Sequence, residues 1–268
     1  MSGIHPSAHI DPSADIHPGA EIGAFCVVGP NVSIGPGCEL RPHAVIRSNT
    51  VLGADNRIYS FSVLGEDPQD LKYGGEETWL RVGRGNTFRE FSSIHRGTQV
   101  DRGETTIGDN CLIMAYVHVA HDAVLGSDII MSSHSGVAGH CAVGDHAILG
   151  GGVLVHQRVQ IGAQSFSALG SIVIKDVPAF MTVRGDPCKV YGLNIEGLRR
   201  RGMSAETRRT LRRAYHILYS SGHTTDEACD RLAELAEQCE EVAILLESVQ
   251  QSQRGIVRPS STSQPSDD

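Results

Sequence analysis

A chain of 268 residues with 40% hydrophobic and 20% charged content can form one large domain, or a main domain with a smaller appendage, which excludes disorder of the whole chain. Its net charge of -8 argues against general nucleic-acid binding, while leaving room for a local basic site. No stretch approaches the roughly 20 apolar residues of a bilayer span, and the start, MSGIHPSAHI, lacks the basic and apolar regions of a signal peptide, so a cytoplasmic protein with no stable membrane anchor is expected.

Along the chain an aliphatic residue recurs every six positions: Ile4, Ile10, Ile16, Ile22, Val28, Ile34, Leu40, Ile46, Leu52, Ile58 and Leu64. Gly often follows it, and the fifth position of each hexad is usually small, as at Ala8, Ala14, Ala20, Cys26, Cys38, Ala44 and Ser62. Residues 65–80 (GEDPQDLKYGGEETWL) break the period and read as an external loop. The series resumes at Val82, Phe88, Ile94 and Val100, slips over residues 101–105, and runs from Ile107 through Ile161 before fading at Ser167 and Val173. A period of six fits neither a helix nor an ordinary strand. It fits a parallel β-helix, in which three hexads close a coil of 18 residues and successive coils stack at the strand spacing of about 4.8 Å.

Beyond Pro178 the pattern dissolves, and from about Tyr191 the composition turns helical. Ser204 can cap a helix over residues 205–220, and Thr224 with Glu227 forms a capping box for a second helix to about Gln238. A third helix is expected over residues 240–250. The expected organisation is a β-helix domain over residues 1–190, a helical domain over 191–255 and a disordered Pro/Ser-rich tail over 256–268. The seven cysteines lack any CxxC pair and are expected to be reduced and mostly structural.

An 18-residue coil converts sequence distance into position. Val119, Val137 and Val155 should stack, which brings His121, His140 and His156 toward one groove, with His118 near the same corner and His95 one coil earlier. Asp122 beside His121 suits orientation of a general base, and the Gly139 N–H could receive an oxyanion. Three imidazoles can alternatively hold zinc. These histidines, however, fall at different corners and depths, without a dense ligand spacing, so no metal is expected. No Ser or Cys stands out as a nucleophile, which favours direct attack by a substrate. A second concentration of chemistry is N194-I-E-G-L-R-R-R-G202. Residues 191–220 carry seven Arg against two Glu, a net +5, suited to phosphate or to an acidic carrier protein.

The hexapeptide pattern resembles that of the left-handed β-helix proteins. The loop GEDPQDLKY, the runs IHRGT and HVAHD, AGH at 138–140, VHQ at 155–157 and NIEGLRRRG together resemble the acyl-carrier-protein:UDP-N-acetylglucosamine O-acyltransferase family of lipid A synthesis. The resemblance implies a mainly β fold, a left-handed parallel β-helix followed by a small C-terminal helical domain. It also implies transfer of an (R)-3-hydroxyacyl group from acyl carrier protein to the glucosamine 3-hydroxyl of UDP-N-acetylglucosamine, by a homotrimer whose sites lie between subunits and which uses no cofactor. His121 would then be the general base, Asp122 its orienting carboxylate and Gly139 the oxyanion donor. Gln69, Asp70, Lys72, His95, His118, His140, His156 and Gln157 would hold the sugar and neighbouring groups, and Asn194, Glu196, Arg200 and Arg201 the nucleotide. Leu169 occupies the position of the family's acyl-length ruler, where its volume implies a chain of about ten carbons in preference to fourteen. Alternatives that remain are the related N-acyltransferase of the same pathway, a 3-amino sugar acceptor, a coenzyme A acetyltransferase and a non-catalytic scaffold.

Overall fold

The computed structural model of the chain describes residues 3–260. Short strands of mostly two residues form three parallel sheets of a left-handed β-helix. A first sheet of nine strands runs from His9–Ile10 to Ile172–Val173, a second of eight from Asp15–Ile16 to Gln160–Ile161, and a third of ten from Glu21–Ile22 to the terminal strands. The ladder keeps an 18-residue register, for example Val119↔Val137↔Val155↔Val173 in the first sheet. Each hexad's aliphatic residue points inward, and Ile22, Ile34, Ile46, Ile58, Ile94 and Ile113 are all completely or almost completely buried. Each such side chain contributes about 1.5–3 kcal/mol relative to exposure. From Ala20 on, the small fifth position is buried as well. Where it is cysteine, at 26, 38, 111 and 141, the thiol donates to a carbonyl 15 residues on at 3.0–3.3 Å. All seven cysteines are free.

Sharp corners need left-handed backbone. Seventeen non-glycine residues among those described have positive φ, an otherwise unfavourable conformation for an L-residue. On the corner between the third and first sheets the coil repeat stacks these residues upon one another. Phe25, His43, Phe61, Phe91, Tyr116 and His134 form a ladder of rings 4.9–5.3 Å apart, an aromatic contact that offsets part of the backbone cost. The two coils after His134 carry Gly152 and Gly170 at this position instead.

Both interruptions are narrower or longer than the period alone indicates. The strands Val63–Glu66 and Trp79–Val82 absorb the ends of the first excursion, leaving residues 67–78 outside. Val100 is not an inward hexad residue: it is 72% exposed, because residues 98–103 leave the wall and the ladder re-enters at Glu104–Ile107. Tyr191 is not the start of helical chain. It lies in the strand Cys188–Leu193, which pairs antiparallel with Met181–Gly185 and closes the third sheet. Four helices follow: α1 (Ile195–Arg200), α2 (Ala205–Tyr219), α3 (Thr225–Ala236) and α4 (Glu240–Gln250). Ser204 caps α2 and the Thr224/Glu227 capping box opens α3, where the sequence places them.

Ile256 and Val257, read from composition as the start of a disordered tail, are instead packed against the fold. Ile256 and Val257 are 5% and 2% exposed, because buried Asp176 ties the end of the chain down. The Asp176 Oδ2 accepts Ser252 Oγ–H at 2.7 Å and the Gln253 and Arg254 N–H groups at 3.0 Å, and its backbone bonds Gly255 and Val257. Residues 261–268 of that tail lie outside the described residues. Ile256→Ala should therefore cost about 2–5 kcal/mol, read as a lower thermal midpoint, where a disordered residue would cost nothing measurable.

Candidate active site

Between the corner at residues 120–123 and the aromatic ladder, a groove of about 870 Å³ crosses the first sheet. Its position follows from the register. At the corner, the residues two past each stacked valine are His121, Gly139 and Gln157, and all three line the groove. Of the residues one and three past it, Ala120 and Ala138 also line the groove, while His156 and His140 do not. His140 sits behind His121, their rings edge to face at 5.0 Å, and His156 is exposed, with Nδ1 facing its neighbour's carbonyl at 3.1 Å. The shared-groove expectation thus holds for His121 and His118 and fails for His140, which faces Asp101, and for His156, whose ring faces the Gln157 carbonyl.

Gln69, Asp70 and Lys72 reach the groove from the external loop, and His95 and His118 from the first sheet. Arg96 and His95 hold that loop in place. The buried Arg96 guanidinium donates to the Gly65 carbonyl at 2.5 Å, to the Tyr73 hydroxyl at 3.0 Å and to the Asp67 carboxylate. His95 Nδ1 lies 2.5 Å from the Asp67 carbonyl. Asp70 in turn accepts the Lys72 N–H at 2.9 Å. Arg96, within the IHRGT run, has a structural task that the spacing of the motif did not disclose. Tyr116, His134 and Leu154 are further lining residues without a sequence signal of their own.

His121 and Asp122 form the centre of the arrangement. His121 Nδ1 is 2.8 Å from Asp122 Oδ2, inside a site where both residues are buried. Burial pushes the Asp122 carboxyl up, but the hydrogen bonds from His121 and from the Thr98 hydroxyl and N–H outweigh it and hold the group below its ordinary range. An ionised carboxylate only accepts, so the proton of a neutral His121 sits on Nδ1 and leaves Nε2 with a lone pair for a substrate proton. Gly139 packs directly against this ring. A Cβ there would lie 2.6–2.8 Å from its Cε1 and Nε2, so only glycine fits, and the Gly139 N–H meets no acceptor among the described residues. A base and an open N–H donor side by side suit attack on a carbonyl.

Contrary to the dispersal inferred from spacing, His121, Asp122 and His140 bring ligand atoms within 4.8 Å of one another, a set able to hold a cation. The Nδ1 atoms of both imidazoles already face carboxylate oxygens at hydrogen-bond distance, so a metal there would displace both protons. The buried Cys111 and Cys141 thiols are pushed up to about 11 by burial and offer no thiolate nucleophile.

The remaining expected residues lie elsewhere on the chain. Asn194 caps α1, accepting the Gly197 N–H at 3.1 Å and donating to the Gln164 carbonyl at 2.9 Å. Glu196 pairs with Arg199 and Arg200, and Arg201 donates to the His146 carbonyl at 2.7 Å. Gln164 and His146 belong to the corner between the second and third sheets, so α1 stands on a different edge from His121. Leu169 is 82% exposed beside Gly151 on the ladder corner and does not line the groove of a single chain.

His118, whose Nδ1 is 2.9 Å from Ser93 Oγ, is lowered from an ordinary 6.5 to about 4, first by burial and then by neighbouring His95 and His121. Between these values the unfolded chain takes a proton that the folded one refuses. Stability should be full above about pH 6.5 and fall as the pH drops toward 4, and His118→Gln should flatten that slope in denaturation curves while histidine NMR shows the His118 ring neutral at pH 5.5.

Comparison with known proteins places this geometry. Residues 176–257 match the family model described as UDP-N-acetylglucosamine O-acyltransferase, domain 2, and residues 13–48 and 104–139 match the bacterial transferase hexapeptide repeat. An acyl-[acyl-carrier-protein]–UDP-N-acetylglucosamine O-acyltransferase of Stutzerimonas stutzeri is 53% identical over 258 residues, covering 96% of this chain and all of that one. The enzyme of that name from Pseudomonas aeruginosa is 54% identical over 203 residues, 76% of this chain and 79% of its own. Among solved structures, the UDP-N-acetylglucosamine O-acyltransferase of Moraxella catarrhalis superposes with a TM-score of 0.94 at 46% identity, covering 96% of this chain and 100% of that one. With relatives this similar along nearly its whole length, the chain belongs to the acyl-[acyl-carrier-protein]–UDP-N-acetylglucosamine O-acyltransferase family.

Proposed function

We propose that this acyltransferase moves an (R)-3-hydroxyacyl group from acyl carrier protein to the glucosamine 3-hydroxyl of UDP-N-acetylglucosamine, with His121 as general base. The observation that carries the reading is the His121–Asp122 pair, with its lone pair free at Nε2 and the Gly139 N–H beside it. The 3-hydroxyl oxygen attacks the thioester carbonyl as Nε2 takes its proton, and the Gly139 N–H meets the oxyanion. Collapse expels the carrier's thiolate, which recovers the proton from His121. Asp122 orients the ring and balances its transient charge.

In this reading Gln69, Asp70, Lys72, His95, His118 and Gln157 surround the sugar in the groove, and His140 and His156 support it from the corner. Asn194, Glu196, Arg200 and Arg201 take the nucleotide. Because α1 stands on another edge of the same chain, the reading calls for a neighbouring copy to complete the site, in keeping with a homotrimer. The Arg-rich α2 suits an acidic carrier protein by charge. The reading places the enzyme in the cytoplasm. No helix among the described residues is long and apolar enough to cross a membrane. No cofactor enters the scheme.

The ladder corner supports a reading of the chain length. Rings fill it up to His134, while Gly152 and Gly170 leave open space on the corner that carries the exposed Leu169 side chain. We assign that space to the acyl chain, closed by Leu169 at about ten carbons.

The test is transfer from a panel of 3-hydroxyacyl carrier proteins to UDP-N-acetylglucosamine. His121→Ala should lower kcat by about 10² to 10⁴ fold with binding of the sugar nucleotide retained, and an unaffected variant would overturn the base assignment. Product only with a 3-amino sugar would change the acceptor. In the same panel Leu169→Gly should shift preference from ten toward fourteen carbons, and equal use of both donors by the wild type would exclude Leu169 as a ruler.

A further inference from the structure

We propose that the short insertion at residues 98–103 is a positioning device for the base, in which Thr98 fixes Asp122 and Asp101 diverts His140, so that Asp122 serves His121 alone. The inference rests on the reading of His121 as the base and adds two residues to its machinery.

The insertion is closed at its neck. Gly97 lies against the backbone of Glu104 so tightly that a Cβ would come within 2.2–2.6 Å of it. Inside the loop, the Thr98 carbonyl accepts the Gly103 N–H at 2.9 Å, and the Gly103 carbonyl accepts the Trp79 N–H at 2.8 Å. The loop is thus pinned to the wall on both sides, and its geometry can be transmitted to what it touches.

Two of its side chains reach the corner that holds the base. Thr98, 2% exposed, gives its N–H to Asp122 Oδ1 at 2.8 Å and its Oγ–H to Oδ2 at 2.6 Å. With both oxygens held, the carboxylate cannot rotate away from the His121 Nδ1–H. Asp101 Oδ2 takes His140 Nδ1 at 2.6 Å. That second contact matters because His140 Nδ1 is also only 3.7 Å from Asp122 Oδ2, the oxygen that His121 uses. Two imidazoles therefore face one carboxylate oxygen. A modest rotation would let His140 replace His121 as its partner, and His121 would lose the interaction that keeps its proton on Nδ1. Asp101 offers His140 a carboxylate of its own and removes the competition.

Hydrogen-bond spectra of ¹⁵N-histidine-labelled protein read this directly, without substrate. Wild type should show His121 protonated at Nδ1, while Asp101→Asn and Thr98→Val should each show His121 in mixed tautomers, with Thr98→Val also lowering the thermal midpoint because it removes a donor from a buried carboxylate. Transfer assays on the same variants should show kcat lowered about tenfold or more, a part of what a general base supplies, with KM for the sugar nucleotide nearly constant. Thr98→Ser should recover wild-type behaviour. The diversion of His140 has its own test: Asp101→Asn should cost no more than about twofold in a His140→Gln background, and losses that multiply would overturn it. Wild-type tautomer and kcat in both Asp101→Asn and Thr98→Val would refute the proposal while leaving the base intact. A fully active His121→Ala would instead refute the base reading, whatever the tautomers show.

Discussion

Parallel pairing of each coil with the next, at an offset of 18 residues, is the constraint from which the rest of the structure follows. Backbone hydrogen bonds and inward aliphatic side chains hold every coil over its neighbour, as in the register Val119↔Val137↔Val155. Side chains far apart in sequence are thereby set side by side at the strand spacing. The same repetition makes the ring ladder from Phe25 to His134 and places Gly139 against the His121 ring. A slip of one residue anywhere in the wall would turn the aliphatic stripe outward and dissolve the groove with it.

Where the repeat is broken, chemistry collects. A uniform wall presents small and polar residues to solvent. The excursion at residues 67–78 supplies one side of the groove, and Arg96 and His95 anchor it through its first residues. The shorter excursion at 98–103 contributes no groove lining and acts instead from behind, through Asp122 and His140. One loop therefore shapes the site and the other orders it, and both depend on a rigid wall to transmit their positions.

Burial and charge are balanced around Asp122. A carboxylate that is almost wholly removed from water stays ionised because three hydrogen bonds converge on it, two from Thr98 and one from His121. His118, in the same groove, has no such partner and is driven neutral. Two imidazoles of one groove are thus set apart by the presence or absence of an acidic neighbour.

The hexads, the inward stripe and the helix starts at Ser204 and Thr224 were legible in the sequence because each is a local rule: a fixed period, or a side chain satisfying a backbone group three residues away. His121 beside Asp122 was legible for the same reason. Thr98, Arg96 and Asp101 carry no periodic mark, since their partners lie in another coil or across a loop. The direction of His140, the strand pairing of Tyr191 and the burial of Ile256 and Val257 by Asp176 likewise depend on contacts between distant residues. The sequence by itself determined the solenoid and the residues able to act as base, because short-range periodicity encodes them. Only the tertiary structure decided which of those residues meet, because corners and insertions set side-chain direction through long-range contacts that no spacing records.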